Sequence, residues 1–175
     1  MLEISKKFTK KIYERYRGGD ATEPSFYGDL STFVEEIAKE VFNKDIKVTP
    51  LPKKVKYQKE VIGLPDFVVK TKDDFIVGYM EAKDPDVKLN DLLDSEQIER
   101  YKKLPNFIFT NYCEYYFFRN GNMVRHTILF DNTSLKNLTP PRIFNHEDTK
   151  QLFEEFLSFS IKQTKSAEEL AEELG

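Results

Sequence analysis

The chain has 175 residues, 39 % apolar and 33 % charged, with a formal net charge of −3, a size and balance that suit one globular domain and are short for two. The single cysteine, Cys113, excludes an intramolecular disulfide, and with His126 and His146 twenty positions apart it leaves no structural zinc cage. No apolar run approaches a membrane span and the start Met-Leu-Glu-Ile-Ser-Lys-Lys lacks a signal-peptide core, so the expected address is cytoplasmic, with no membrane partner.

Ile4, Phe8, Ile12 and Tyr16 recur at helical spacing, which predicts a helix over 3–16 stopped by Gly18-Gly19. Thr22 is a good N-cap for the next helix, with Pro24 in its first turn and Phe26, Leu30, Phe33, Val34, Ile37 and Val41 as its apolar stripe. A strand holding Ile46 and Val48 follows, then a loop rich in Pro and Lys. Phe67–Val69 and Phe75–Tyr79 flank the polar segment Lys70–Asp74 as a hairpin. Residues 90–103 read as a helix with Leu93, Gln97 and Tyr101 on one face. Phe107–Thr110 reads as a buried strand, and Asn120-Gly121 as a two-residue turn joining Glu114–Arg119 to Met123–Phe130. Pro140-Pro141 marks a linker before a final helix with Leu152, Phe153, Phe156, Leu157 and Ile161. Ser166–Glu169 reads as a capping box that opens a last apolar face, Leu170 and Leu174, too short to bury itself.

The chemistry concentrates in the hairpin. A turn centred between Asp73 and Asp74 sets Asp66 opposite Glu81, because the two are equidistant from that centre. Opposed residues share a sheet face, and Lys83 returns to it two positions later. Two carboxylates and an ammonium then converge at one end of the hairpin. Carboxylate oxygens suit Mg²⁺, which keeps several waters and takes further ligands from phosphates. An ammonium beside them orients a water, holds a phosphate oxygen or acts as a base. Glu-x-Lys alone is a common string, and a solvated hairpin end would carry the same charges. Asp66 in the matching register separates the two readings.

These residues resemble the PD-(D/E)XK nuclease superfamily, as Pro65-Asp66 followed by Glu81-Ala82-Lys83, and Gln97-Ile-Glu-Arg-Tyr101 resembles an element of several of its branches. The wider order of Ala21–Tyr27, Gly63–Phe67, Gly78–Pro85, Ser95–Tyr101, Leu104–Tyr112 and Phe118–Gly121 resembles the N-terminal cleavage module of fused restriction-modification enzymes of the type IIG or type ISP kind. The resemblance implies an α/β fold with a mixed central sheet flanked by helices, a restriction-endonuclease-like αβββαβ core, here with an extra hairpin and a C-terminal helix. It implies an N-terminal helix over 1–20, a nuclease core over 21–145, and a C-terminal helical extension over 146–175 leading toward a further domain.

The same resemblance implies a Mg²⁺-dependent DNA endonuclease, with Mn²⁺ as a substitute. Asp66, Glu81 and the main-chain carbonyl of Ala82 would hold the metal, with Glu23 as a supplementary carboxylate. Lys83 and Gln97 would position the attacking water, with Tyr101 in support. The implied partners are DNA, a methyltransferase and target-recognition domains of a larger parent (in some relatives also a helicase), and a second nuclease domain for double-strand cleavage.

A mildly acidic chain grips DNA weakly by itself, because phosphate neutralisation dominates affinity. Lys53, Lys54, Lys56 and Lys59 are the nearest thing to a basic patch, and a solvated loop accounts for them as well. The aromatic run Phe107–Phe118 reads as core rather than a base-stacking platform, because its residues alternate along strands, and His126 is given no role. Two other readings keep the fold: a nuclease-like docking domain without catalysis, and a stand-alone repair nuclease for branched DNA, which would bring a more basic surface. Intact Asp66, Glu81, Lys83 and Gln97 count against the docking domain.

Overall fold

The computed structural model describes residues 1–50, 55–57, 60–63 and 65–159. Lys53, Lys54, Lys59, Ile161, the Ser166–Glu169 box, Leu170 and Leu174 lie outside them. Helix α1 spans Leu2–Gly18 and ends where Gly19 turns left-handed (φ 76), its N–H donating to the Tyr16 carbonyl at 3.2 Å. Helix α2 spans Glu23–Glu36 behind Thr22, with Pro24 in its first turn, and continues as a π-helical turn over Ile37–Val41. Of its predicted stripe, Phe26 to Ile37 are buried and Val41 is half-buried. The two helices lock through Phe8 and Phe33, stacked at 4.0 Å.

Among the described residues eight strands follow, in the order β1 (Ile46–Pro50), β2 (Val55–Tyr57), β3 (Glu60–Gly63), β4 (Phe67–Thr71), β5 (Ile76–Ala82), β6 (Phe107–Thr110), β7 (Glu114–Arg119) and β8 (Asn122–Ile128). Six make one sheet in the order β1-β4-β5-β6-β7-β8, antiparallel except for the parallel pair β5–β6. That pair needs a crossover, supplied by α3 (Glu96–Tyr101). Both central strands are buried along their whole length, as strands covered on two faces must be. The mixed sheet flanked by helices is the fold class expected from the sequence.

Alternation along the strands divides the interior in two. The larger core sets Phe67, Val69, Met80, Ile108 and Phe117 against α1, α2 and α5 (His146–Leu157). The smaller sets Val68, Tyr79, Phe107, Phe109 and Phe118 against α3 and Leu104. Gly78 permits a close approach: a Cβ there would lie 2.6 Å from the Asn106 carbonyl oxygen and 2.7 Å from the Phe156 ring.

Several boundaries differ from the sequence reading. The β4–β5 turn closes one residue earlier than predicted, between Thr71 and Phe75, with Asp74 in the left-handed region (φ 71). A bulge then compensates. Lys70 faces Ile76 but Val69 faces Gly78, so Val77 is an extra residue that restores the predicted register, with Phe67 opposite Met80. The helix expected over 90–103 is two pieces, a 3₁₀ turn at Leu89–Leu92 and α3. Ser95 separates them because its Oγ accepts the Ile98 N–H at 3.3 Å and caps α3.

The segment read as a Pro- and Lys-rich loop contains β2 and β3, paired as a small antiparallel sheet, with Lys56 in β2. The predicted second turn holds: Asn120 (φ 50) and Gly121 (φ 87) join β7 to β8, with Arg119 opposite Asn122. After it, the sequence reading missed helix α4 (Asn132–Lys136), started by Asp131, whose Oδ1 accepts the Thr133 N–H at 2.9 Å. Pro140-Pro141 lie in the loop between α4 and α5, and α5 buries Leu152, Phe153, Phe156 and Leu157 in the larger core.

Candidate active site

The site sits where β4 begins and β5 ends. Asp66 occupies the bend just before β4, half-buried, and Glu81 lies one residue from the end of β5, 4 % exposed. Antiparallel pairing brings these two points together, and the main chain fixes them. The Asp66 N–H donates to Glu81 Oε1 at 3.0 Å, and the Ala82 N–H donates to Asp66 Oδ2 at 2.8 Å. Each carboxylate is thus held by the other's strand, with charge-assisted bonds to backbone donors.

Lys83 extends the cluster. Its Nζ lies 3.4 Å from Glu81 Oε2 and donates to Gln97 Oε1 at 3.0 Å. Gln97 reaches it from the first turn of α3, which the parallel crossover packs over the same end of the sheet. Asp66, Glu81, Lys83 and Gln97 therefore form one hydrogen-bonded chain running from the sheet to the crossover helix.

Electrostatics mark the same place. Burial, then the charge of Asp66, pushes the Glu81 carboxyl up to about 8, and Lys83 only partly opposes this. Once Glu81 gives up its proton, as metal binding would require, two carboxylates and one ammonium carry an excess of negative charge. Hard oxygen donors with uncompensated charge suit a small divalent cation that keeps most of its waters. Among the described residues no three His, Cys, Asp or Glu side chains gather into a full protein cage, so water or substrate oxygens would have to complete the shell. The donor set fits Mg²⁺ on those terms.

The remaining predicted residues occupy different positions. Ala82 meets Asp66 through its N–H. Tyr101 is 2 % exposed in the smaller core, its ring edge-on to Phe107 at 5.7 Å and its phenol end against Gly63. Glu23 is exposed in the first turn of α2, and its charge acts on the Tyr27 and Tyr112 hydroxyls.

Those two tyrosines are the residues that sequence reasoning did not assign. Tyr27 is 5 % exposed; burial first, then interaction with the Asp66 carboxylate, raises its pKa well above the usual tyrosine range. Tyr112 is 1 % exposed, and burial, followed by the charges of its neighbours including Asp66 and Asp84, raises it likewise. The four-residue spacing of Glu23 and Tyr27 on one helical face was a signal for the first. No local signal places Tyr112.

A depression of about 540 Å³ between α1 and the start of α2, lined in part by Lys11, Arg15, Asp20, Ser25 and Asp29, holds none of these residues. Arg15 and Asp29 pair with each other there. Its charges are of both signs, and it offers no set of convergent donors comparable with the Asp66 cluster.

No family model and no curated protein matches the sequence. Among solved structures, the chain is similar to a chain of the cryo-EM structure of the DrdV–DNA complex, with a TM-score of 0.66 and 18 % sequence identity over 91 % of this chain and 14 % of that one. At that identity the likeness is one of fold, in agreement with a restriction-endonuclease-like architecture, and the present chain spans about 14 % of the length of its structural neighbour.

Proposed function

We propose that this chain is a Mg²⁺-dependent DNA endonuclease domain, the cleavage module of a larger restriction-modification enzyme. The observation that carries the reading is the linked set of Asp66, Glu81, Lys83 and Gln97, with the Glu81 carboxyl raised to about 8 by burial beside a second acid. A buried acid whose pKa is raised beside a second carboxylate and a lysine is an arrangement that clusters at functional sites. The likeness to part of a protein solved with DNA, over a small fraction of that protein's length, agrees with a DNA-directed module of a longer chain.

Asp66 and Glu81, with the Ala82 carbonyl, would hold Mg²⁺ or Mn²⁺. The bound cation would supply electrostatic stabilisation of the charge that develops on the phosphodiester. Lys83 holds a water in line with the scissile bond, and Gln97 keeps the Lys83 ammonium aimed. Attack of that water on phosphorus breaks the P–O3′ bond. The attacking water gives up a proton to solvent, the departing 3′-oxygen takes one from solvent, and the products are a 5′-phosphate and a 3′-hydroxyl. One site cuts one strand, so a double-strand break takes two domains or two events.

Calorimetric titration of Mg²⁺ and Mn²⁺ into the wild type and Glu81→Ala, alongside plasmid nicking, tests this. Metal binding and nicking that are both lost in Glu81→Ala are the expected results. A wild type that binds neither ion, or a Glu81→Ala variant that binds and nicks normally, would return the chain to the docking-domain reading.

A further inference from the structure

We infer that Asn106 is a positioning residue for Glu81: its side-chain amide pins the bulge in β5, and the bulge sets the register that brings Glu81 opposite Asp66. The consequence for the metal rests on the site reading above and deepens it, whereas the register is measurable without a metal.

The pairing of β4 with β5 is not written in their apolar pattern. Alternation specifies register when one sheet face is apolar and the other polar, because a slip of one residue then exposes the wrong set. Here Phe67, Val68 and Val69 are all buried, and so is every residue of β5. A slip would exchange one apolar layer for another. At the turn end of the hairpin Lys70 stands opposite Ile76. Continued without interruption, that ladder would pair Val69 with Val77 and Phe67 with Tyr79. Asp66 would then fall opposite Met80, with Glu81 on the other face. The bulge at Val77 prevents this, and Val69 meets Gly78 instead.

Asn106, 1 % exposed in the bend just before β6, anchors the bulge. Its Nδ2 donates to the Val77 carbonyl at 3.1 Å and to the Phe156 carbonyl at 2.8 Å, which uses both amide hydrogens. Its Oδ1 finds no hydrogen-bond partner among the described residues, so the two donated bonds orient the side chain. Rotated by half a turn, it would set its oxygen against two carbonyl oxygens. The main chain of the same residue adds a third bond, as the Asn106 carbonyl accepts the Tyr79 N–H at 3.0 Å. Asn106 therefore grips β5 on both sides of Gly78, and the missing Cβ at Gly78 lets the two chains close. The brace runs from α5 through Asn106 to the bulge, four residues before Glu81.

Asn106→Leu keeps the side-chain volume and removes both donors. Leu152→Ala, in the larger core, controls for lost stability alone. Register is read without metal from cross-strand proton contacts by NMR. The wild type should show Phe67 beside Met80. Asn106→Leu should add a population with Phe67 beside Tyr79, and Leu152→Ala should not. In calorimetric titration, Asn106→Leu should bind Mg²⁺ more weakly in proportion to the slipped fraction, about tenfold if about nine-tenths of the molecules are slipped. Saturating Mg²⁺ should return the Phe67–Met80 contacts. Deleting Val77 in the Asn106→Leu background removes the need for a bulge and sets Glu81 opposite Asp66 again, so most of the lost affinity should come back.

A single wild-type register in Asn106→Leu, or the same slip in Leu152→Ala, would overturn the inference. So would a Val77 deletion that leaves affinity as low as in Asn106→Leu. If Asn106→Leu does not fold, Asn106→Ser, whose short hydroxyl donates to at most one of the two carbonyls, carries the same comparison. A wild type that binds no Mg²⁺ would remove the metal reading and leave the register to be decided by the NMR contacts.

Discussion

Asp66 and Glu81 hold each other through the main chain: the Asp66 N–H donates to Glu81 Oε1 at 3.0 Å, and Asp66 Oδ2 accepts from Ala82, the residue after Glu81, at 2.8 Å. The pairing of the two strands therefore fixes both side chains without any help from a cation. Like charges are brought together by backbone geometry, and the electrostatic cost appears as the raised carboxyl of Glu81.

That cost makes the metal-free protein sensitive to pH in a definite direction. The Glu81 carboxyl titrates near 4.5 when unperturbed and is raised to about 8 in the folded protein. Between those values the folded state keeps a proton that the unfolded state releases, so stability falls as pH rises. The contribution is fully present below about 4.5 and lost by about 8. Thermal unfolding in chelator should give a Tm that declines across this window, and Glu81→Gln should flatten the decline. A Tm that climbs over the same window through ionisation of this acid would mean the cluster is a structural ion-pair network.

Lys83 and Gln97 should separate by severity. Lys83→Met removes the ammonium next to both Glu81 and Gln97, and loss of one such electrostatic group costs on the order of 10²-fold or more in turnover. Gln97→Ala only frees the ammonium to move, and about tenfold is expected by comparison with other orienting groups. Nicking rates at saturating Mn²⁺ give the order, and a Gln97→Ala defect larger than that of Lys83→Met would reverse the assigned roles.

Gly78→Ala should damage the site from a distance. The added methyl would press on the Asn106 carbonyl and the Phe156 ring, and overpacking of this kind costs about 1–3 kcal/mol. Gly78 lies on β5, three residues before Glu81, so any local relief also displaces the acid. Urea unfolding measures the loss. A variant as stable as the wild type would show that β5 and α5 are less tightly apposed than they stand here.

Cleavage by the 175 residues alone should be slow, without sequence preference and suppressed by salt. A chain of net charge −3 has few means of holding a polyanion, and catalysis needs the phosphodiester held in line. Plasmid nicking over a salt series checks this. Tethering to a DNA-recognising partner should restore rate by raising the local substrate concentration. Efficient site-specific double-strand cutting by this chain unaided would point to a complete, self-dimerising endonuclease.

The sequence by itself determined the helices α1 and α2, the buried strand β6, the Asn120-Gly121 hairpin and the register that sets Asp66 against Glu81. Each is written locally, in apolar spacing, capping residues or a turn dipeptide. Even so, the register at the site depends on an extra residue, Val77, that offsets a turn closing one residue early, and nothing in the string of β5 announces that bulge. Ser95 divided a helix that periodicity joined, because one side-chain hydrogen bond to the Ile98 N–H outweighs an apolar pattern too short to cross it. Tertiary structure alone decided that Gln97 meets Lys83, that Tyr101 packs as core, and that Tyr27 packs on Phe67 and Tyr112 on Phe26. Those contacts join α2, β5, α3 and the end of β6, elements separated by tens of residues whose approach is set by burying two apolar layers on one sheet. Local sequence chose the acids and the lysine, and the packing of the layers chose what surrounds them.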